Sequence, residues 1–220
     1  MGAMRDAEGF ENDPQPAPPA EAPAGARKIV LNVGCGHPVP DRLPRYLQGP
    51  DWQEIRLDID PDVRPDILCS ITDMAPVGSD SVDAVWSSHN LEHIFLHEAP
   101  VALAEFRRVL RPGGLLLVTL PDLQSVAEMV AAGGLEDEAY RARSGPITPF
   151  DMIFGHVRLI ARGHLRMAHR SGFTAAMLGR LLHEAGFDAV EVRRRAAYDL
   201  WATGRKPVTE APDRHRPRDT

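Results

Sequence analysis

The sequence predicts an α/β fold, a largely parallel sheet with helices on both faces and a closing antiparallel pair of strands. Three observations predict it. Residues 28–33, Lys-Ile-Val-Leu-Asn-Val, are a short, mostly branched apolar run that enters Gly34-Cys-Gly36, as a strand buried on both faces of a parallel sheet would. Apolar runs of strand length then recur, alternating with helical or irregular crossovers. The last two runs, 187–193 and 197–203, close the unit as a strand pair.

Each element has a local reason. Strand 1 covers 28–33, and glycine after it permits positive φ and a close backbone approach to a ligand. Residues 38–50 are proline-rich, so the first crossover is irregular, with at most a short helix around 41–48. Residues 54–58 read as strand 2, 66–69 as a short third strand, and 82–86 as the fourth, after the polar turn Gly78-Ser-Asp-Ser81. Apolar residues at 101, 103, 106, 109 and 110 mark a helical face, which Arg111-Pro-Gly-Gly114 stops. Strand 5 is 115–120, cut by Pro121, and 124–132 is helical. Thr174 caps a helix from Ala175 to Glu184, ended by Gly186. Residues 133–172 carry scattered glycines and prolines; a long irregular stretch in a compact domain covers a site or contacts something.

The chain has 220 residues, 43% of them hydrophobic and 25% charged, enough for one well-cored domain. That domain is expected over 27–206, between a disordered Pro/Ala-rich arm (1–26) and a disordered charged tail (207–220). No apolar run reaches the length of a membrane span, and the first residues lack an apolar signal core. The two cysteines form neither a disulfide framework nor a Cys-x-x-Cys metal pattern. A cytoplasmic protein without a membrane partner is expected. The net charge of −6 argues against a general nucleic-acid binder. Basic residues do concentrate in 141–220, with 15 Lys+Arg against 8 Asp+Glu, but dispersed charges of that kind read as solvated surface.

Several motifs occur in one order: Leu31-Asn-Val-Gly-Cys-Gly36, the acid-tipped Leu57-Asp58, Ser81-Val-Asp-Ala-Val85, and Ser88-His-Asn-Leu-Glu-His93. Glu105-Phe-Arg-Arg-Val-Leu-Arg-Pro-Gly-Gly114 and Leu182-His-Glu-Ala-Gly-Phe187 follow. Together they resemble the class I S-adenosylmethionine-dependent methyltransferases, of the small-molecule, methyltransferase type 11-like kind with Leu-Glu-His after strand 4. The resemblance implies a Rossmann-like, doubly wound, seven-stranded, mostly parallel sheet with an antiparallel last strand. It implies S-adenosyl-L-methionine at the carboxyl ends of strands 1–4, near Asn32, Gly34, Cys35, Gly36, Asp58, Ile59, Ser70, Ile71, Asp73, Ser88 and His89.

The physical roles follow. Gly34 and Gly36 let the turn lie against the methionine end of the cofactor. Asp58 accepts both ribose hydroxyls through charge-assisted bonds, or else caps a helix ahead of Pro61; Asp60 replaces it if the strand slips by two residues. Many relatives carry an acid after strand 3 for the adenine amino group. Here either Ser70 with the Ile71 backbone, or Asp73, stands in that place. The dinucleotide fingerprint wants a third glycine, and Gly34-Cys-Gly-His-Pro-Val39 lacks it, which disfavours NAD.

Methyl transfer needs alignment and exclusion of water more than covalent machinery, with a histidine base if the acceptor is a hydroxyl. Of nine histidines, His89, His93 and His156 are the candidate catalytic residues. No His-x₃-His or Cys–His spacing supports a metal, so none is expected. Arg158, Arg162 and Arg166 recur every four residues and would share a face if that piece were helical. No Asn/Asp-Pro-Pro-Tyr/Phe follows strand 4, so the signature of DNA-base amino methylation is missing. The expected function is methyl transfer to a small-molecule acceptor, an oxygen nucleophile before others. The alternatives are a cofactor-binding module without catalysis and an NAD-dependent oxidoreductase.

Overall fold

A computed structural model describes residues 27–38, 43–142, 145–195 and 198–208. The arm at 1–26 and the tail from 209 onward lie outside the described residues. The sheet has seven strands. They are β1 (Lys28–Val33), β2 (Trp52–Asp58), β3 (Ile67–Leu68), β4 (Val82–Ser88), β5 (Leu110–Pro121), β8 (Asp188–Arg194) and β9 (Asp199–Arg205). Their order is β3-β2-β1-β4-β5-β9-β8. β1 to β5 pair in parallel, and β9 runs antiparallel to both β5 and β8. The strand order reverses between β1 and β4, so an open crevice is expected at the carboxyl ends of those two strands.

Both sheet faces are covered. Leu31, Val33, Leu57, Val85, Leu116 and Val118 face a core built with Leu103 and Phe106 of α1 (Ala99–Val109) and Leu178 and Leu182 of α5 (Ala175–Glu184). Val30, Ala84, Trp86, Leu115, Leu117 and Trp201 face the other side, with Leu47 from the first crossover. The Trp86 and Trp201 rings lie 5.4 Å apart across β5. Among its described residues that first crossover is irregular with a 3-10 turn, Arg45–Leu47, inside the stretch where at most a short helix was expected.

Two of the boundaries that differ from expectation bear on the motifs. β4 runs through Ser88, so this residue ends the strand and does not follow it. β5 begins at Leu110, and Arg111–Gly114 form an irregularity opposite Asp83. Gly113 takes φ +78 there, and its amide donates to the Lys206 carbonyl while the Lys206 amide donates to Gly114. The Pro-Gly-Gly run therefore ends α1 and opens the strand as a kink.

The motif residues outside the strand tips have structural work. The Asp83 carboxylate accepts from Arg111 (2.6 Å) and from the Ile29 amide (2.7 Å), tying β4, β5 and β1 at their amino ends. Glu105 accepts from the Met74 amide, and Arg108 donates to Glu105 and to the Val77 and Met74 carbonyls. This clamp fixes the turn after β3 onto α1. Thr174 caps α5 as expected, its side chain accepting from the Met177 amide.

Residues 133–172 are more ordered than their composition suggested. After α2 (Leu123–Ala131) comes a hairpin of β6 (Tyr140–Ala142) and β7 (Gly145–Ile147), then α3 (Pro149–Phe154) and α4 (Val157–Ile160). α4 is only four residues long, so the arginine stripe does not form: Arg158 donates to the Pro146 carbonyl, and Arg166 lies in a separate 3-10 turn.

Candidate active site

The parallel register brings the carboxyl ends of β1, β2 and β4 to one edge. The turn after β1 is built for close approach. Gly34 has φ +62, and a Cβ there would lie 2.4 Å from the Asn90 side chain, so only glycine fits. Gly36 has φ +58 and donates its amide to Asp58 Oδ2 (2.8 Å). The Cys35 amide donates to the Leu57 carbonyl, and its side chain is buried. Arg56 donates to the Gly36 carbonyl at 2.6 Å, holding the turn from the β2 side.

Asp58 ends β2 with its two oxygens pointed at different amides, Oδ2 at Gly36 and Oδ1 at Asp60 (2.9 Å). A carboxylate oxygen has two lone pairs, so each oxygen retains one acceptor site. The capping role weighed for Asp58 belongs to Asp60 instead: its side chain accepts from the Asp62 amide at the head of the 3-10 turn Pro61–Val63. Asp60 also pairs with Arg166 at 2.9 Å, fastening the 165–167 turn to the β2 tip. Ile59 is 54% exposed beside the acid, an apolar side chain left without cover.

The other expected cofactor neighbours divide. Asn32 is buried and donates to Glu54 at 2.7 Å, so its amide is taken up inside the sheet. Ser70 lies just past β3, its hydroxyl bonded to Thr72, and Ile71 is buried against the core. Asp73 is exposed and its carboxylate turns back to the Ala75 amide at 3.3 Å. Ser88 accepts from the Thr119 hydroxyl at the β4 tip.

His89 has φ +47, a left-handed conformation that a non-glycine residue rarely takes, and its amide donates to the Thr119 carbonyl. Nδ1 lies 3.4 Å from Glu92 Oε1 and Nε2 lies 3.7 Å from Asp199 Oδ2. These are charge contacts longer than hydrogen bonds. Burial opposes the imidazolium, but the two carboxylates outweigh it and the pKa is pushed up to about 10. The side chain is 42% exposed, so solvent screens both contacts, and the direction is what the geometry establishes.

Around it stand groups that sequence spacing did not bring together. Glu92, in the 3-10 turn Leu91–His93, is 1% exposed, and among the described residues neither carboxylate oxygen has a hydrogen-bond partner. The 168–171 segment is stitched to that turn: the amides of Arg170 and Ser171 donate to the Glu92 carbonyl, and the Ser171 hydroxyl to that of Ile94. This places His169 against His93, with ring centroids 4.9 Å apart. Burial pushes the His169 imidazole down, toward the neutral form. Asp199 opens β9 opposite Pro121, which puts it at the same sheet edge. Burial drives the Tyr140 phenol up, and the charges of Asp199, Asp151 and Glu92 add to that, so the β6 hairpin faces the same acidic group. His156 has both ring nitrogens shielded from solvent and unpartnered among the described residues.

A family model described as a methyltransferase domain matches residues 31–118, from the middle of β1 through most of β5. Over those residues the chain is similar to the methyltransferase domain family. Solved structures agree on the fold. A Haloferax volcanii protein in complex with the Trm112 methyltransferase activator is 15% identical, with 83% of this chain and 85% of that chain covered at a TM-score of 0.54. A SAM-dependent methyltransferase from Methanosarcina mazei is also 15% identical, with 83% and 93% covered at 0.55. The Burkholderia thailandensis 1,6-didemethyltoxoflavin-N1-methyltransferase, solved with 1,6-didemethyltoxoflavin and S-adenosylhomocysteine, is 18% identical, with 83% and 72% covered at 0.51. No curated protein matches by sequence. Among the described residues, no helix is long and apolar enough to cross a membrane.

The sequence missed Glu92, Tyr140, Asp199 and His169 as neighbours of His89. Glu92 stood in view inside Leu-Glu-His. Tyr140 and Asp199 carry no motif, and only the fold joins them.

Proposed function

We propose that this methyltransferase moves the methyl group of S-adenosylmethionine to an oxygen of a small-molecule acceptor, held between the strand ends and the 140–172 segment. The observation that carries the reading is the cradle of Gly34, Gly36 and Asp58. The chain's own residues fit the cofactor: no Cβ blocks the turn, Asp58 has an open acceptor site on each oxygen for the ribose hydroxyls, and Ile59 offers an apolar face for the adenine. When bound, S-adenosylmethionine supplies an electrophilic methyl on a sulfonium sulfur. Ser70 with the Ile71 backbone is the better adenine contact, because the Asp73 carboxylate is turned back onto its own loop.

His89 is the acceptor's base. Two carboxylates raise its proton affinity, so only the deprotonated fraction of the imidazole can take the hydroxyl proton, and that fraction grows as pH rises toward the raised pKa. His156, whose two ring nitrogens are buried and unpartnered among the described residues, is a second candidate. His93 is a positioning residue, since its Nδ1 bonds the Ala168 carbonyl and holds the 168–171 segment. A small acceptor suits the net charge of −6 and the structured covering segment, and the Burkholderia neighbour takes one. The chain's two cysteines suit the reducing cytoplasm.

The test is S-adenosylhomocysteine release with a panel of small hydroxylated and amino acceptors. Turnover with hydroxyls is expected, rising with pH from 7 to 9 as His89, whose pKa is raised, loses its proton. His89→Ala is expected to bind S-adenosylhomocysteine normally and lose at least 100-fold in kcat, the usual worth of a positioned base. Turnover with amines alone, or an unchanged His89→Ala, would overturn the oxygen reading.

A further inference from the structure

We propose that Glu92, His93 and His169 form a binding site for a zinc-class divalent cation, joining the turn after β4 to the segment that covers the cleft. Each residue offers one ligand atom, and all three atoms lie within 4.8 Å of one another. Two histidines and a carboxylate are a donor set that zinc and neighbouring first-row metals take.

Two independent features point to a ligand. The first is the Glu92 carboxylate: it is 1% exposed, yet among the described residues neither oxygen has a hydrogen-bond partner. A buried charge in that condition is costly unless something compensates it. His89 Nδ1, at 3.4 Å from Oε1, faces only one of the two oxygens. The second is the way both rings are held. His93 Nδ1 lies 3.2 Å from the Ala168 carbonyl, and His169 Nδ1 lies 2.9 Å from the Met152 carbonyl. A carbonyl only accepts, so the proton in each pairing sits on Nδ1 and Nε2 carries the lone pair. A ring N–H donated to a backbone carbonyl is how proteins orient a metal-binding imidazole.

Ligand atoms about 2.0–2.1 Å from a tetrahedral zinc lie about 3.4 Å apart. The cluster contracts by about 1.4 Å at its widest to reach that spacing, a side-chain movement between the turn and its cover. Three protein ligands leave a fourth position open, as in catalytic zinc sites. The spacing argument that disfavoured a metal fails because His169 arrives from a segment stitched on by the Arg170 and Ser171 amides, far along the chain from Glu92 and His93.

The test needs no cofactor, so its outcome is separate from that of the methyl-transfer reading. Tag-free full-length protein is stripped with chelator, dialysed and titrated with Co²⁺ and with Zn²⁺. One Co²⁺ per chain with the intense visible bands of four-coordinate cobalt is expected, displaced by Zn²⁺, together with a metal-dependent rise in Tm. His169→Ala and Glu92→Gln are expected to lose stoichiometric binding and the bands. His97→Ala, at an exposed histidine four residues from His93, is expected to keep them. If Glu92→Gln does not fold, His169→Ala decides alone, its folded state checked by far-UV circular dichroism. Absence of stoichiometric binding in the wild type at micromolar metal, or bands that survive His169→Ala, would overturn the site.

Discussion

Gly34→Ala tests the cradle at its tightest point. The new Cβ would lie 2.4 Å from Asn90 Cγ, 2.6 Å from Oδ1 and 2.7 Å from Nδ2, all far inside van der Waals contact, so Asn90 must move by about 1 Å. Holding alanine at φ +62 costs about 1–2 kcal/mol, and pushing Asn90 off its rotamer about 0.5–1.5 kcal/mol more. The sum, about 1.5–3.5 kcal/mol, corresponds to a fall in Tm of about 3–14 °C for a chain of this size. Gly49→Ala is the control: φ there is +101 with no atom within 4 Å of the added Cβ, so it reports backbone strain without the clash. Titration calorimetry with S-adenosylhomocysteine separates binding from folding. Gly34→Ala is expected to weaken binding at least tenfold, about 1.4 kcal/mol, and Gly49→Ala to leave it unchanged. The double variant Gly34→Ala/Asn90→Ala is expected to regain the steric part of the lost stability and keep the φ part. A Gly34→Ala protein that melts lower but binds as the wild type does would refute the reasoning, because it would place the turn away from the ligand.

Two further outcomes test how the site is supported. Arg108 hydrogen-bonds Glu105 and holds its carboxyl below its ordinary 4.5, so this pair's stabilisation is present above pH 4.5 and is lost as pH falls through the lower folded-state value. Acid melts of Glu105→Gln should therefore lack that part of the wild type's loss below pH 4.5; identical acid profiles would remove the clamp from the account. Thr174→Ala removes the α5 cap and is expected to cost about 1 kcal/mol by urea denaturation with S-adenosylhomocysteine affinity intact.

The parallel core was legible because strands buried on both faces leave continuous apolar runs, as at 28–33 and 115–120, and because glycine and proline punctuate them. The Thr174 cap and the Gly-Cys-Gly turn were legible for the same local reason. Arg111-Pro-Gly-Gly114 misled in one respect: glycine and proline end a helix and kink a strand equally well, and the pairing with Lys206 that makes them a strand is long-range. The arginine repeat at 158, 162 and 166 misled because Gly163 takes φ +97, so helix spacing had no helix to act on. Asp58 was the preferred ribose acid in sequence with Asp60 as the fallback, and the Gly36 and Asp62 amides give the two different partners. The acids and histidines around His89 come from the turn after β4, from β9 and from the 140–172 segment, and their meeting depends on tertiary hydrogen bonds that no local pattern encodes.

The most direct test of the central claim is S-adenosylhomocysteine binding by wild type and Asp58→Ala, measured side by side. Asp58 holds the Gly36 amide and has an acceptor site to spare on each oxygen, so on the proposed reading its loss would remove two charge-assisted hydrogen bonds to the ribose and loosen the turn. Saturable wild-type binding and at least a 100-fold loss in Asp58→Ala are expected, with the variant still folded. A wild type that does not bind, or an Asp58→Ala protein that binds equally well, would contradict the account.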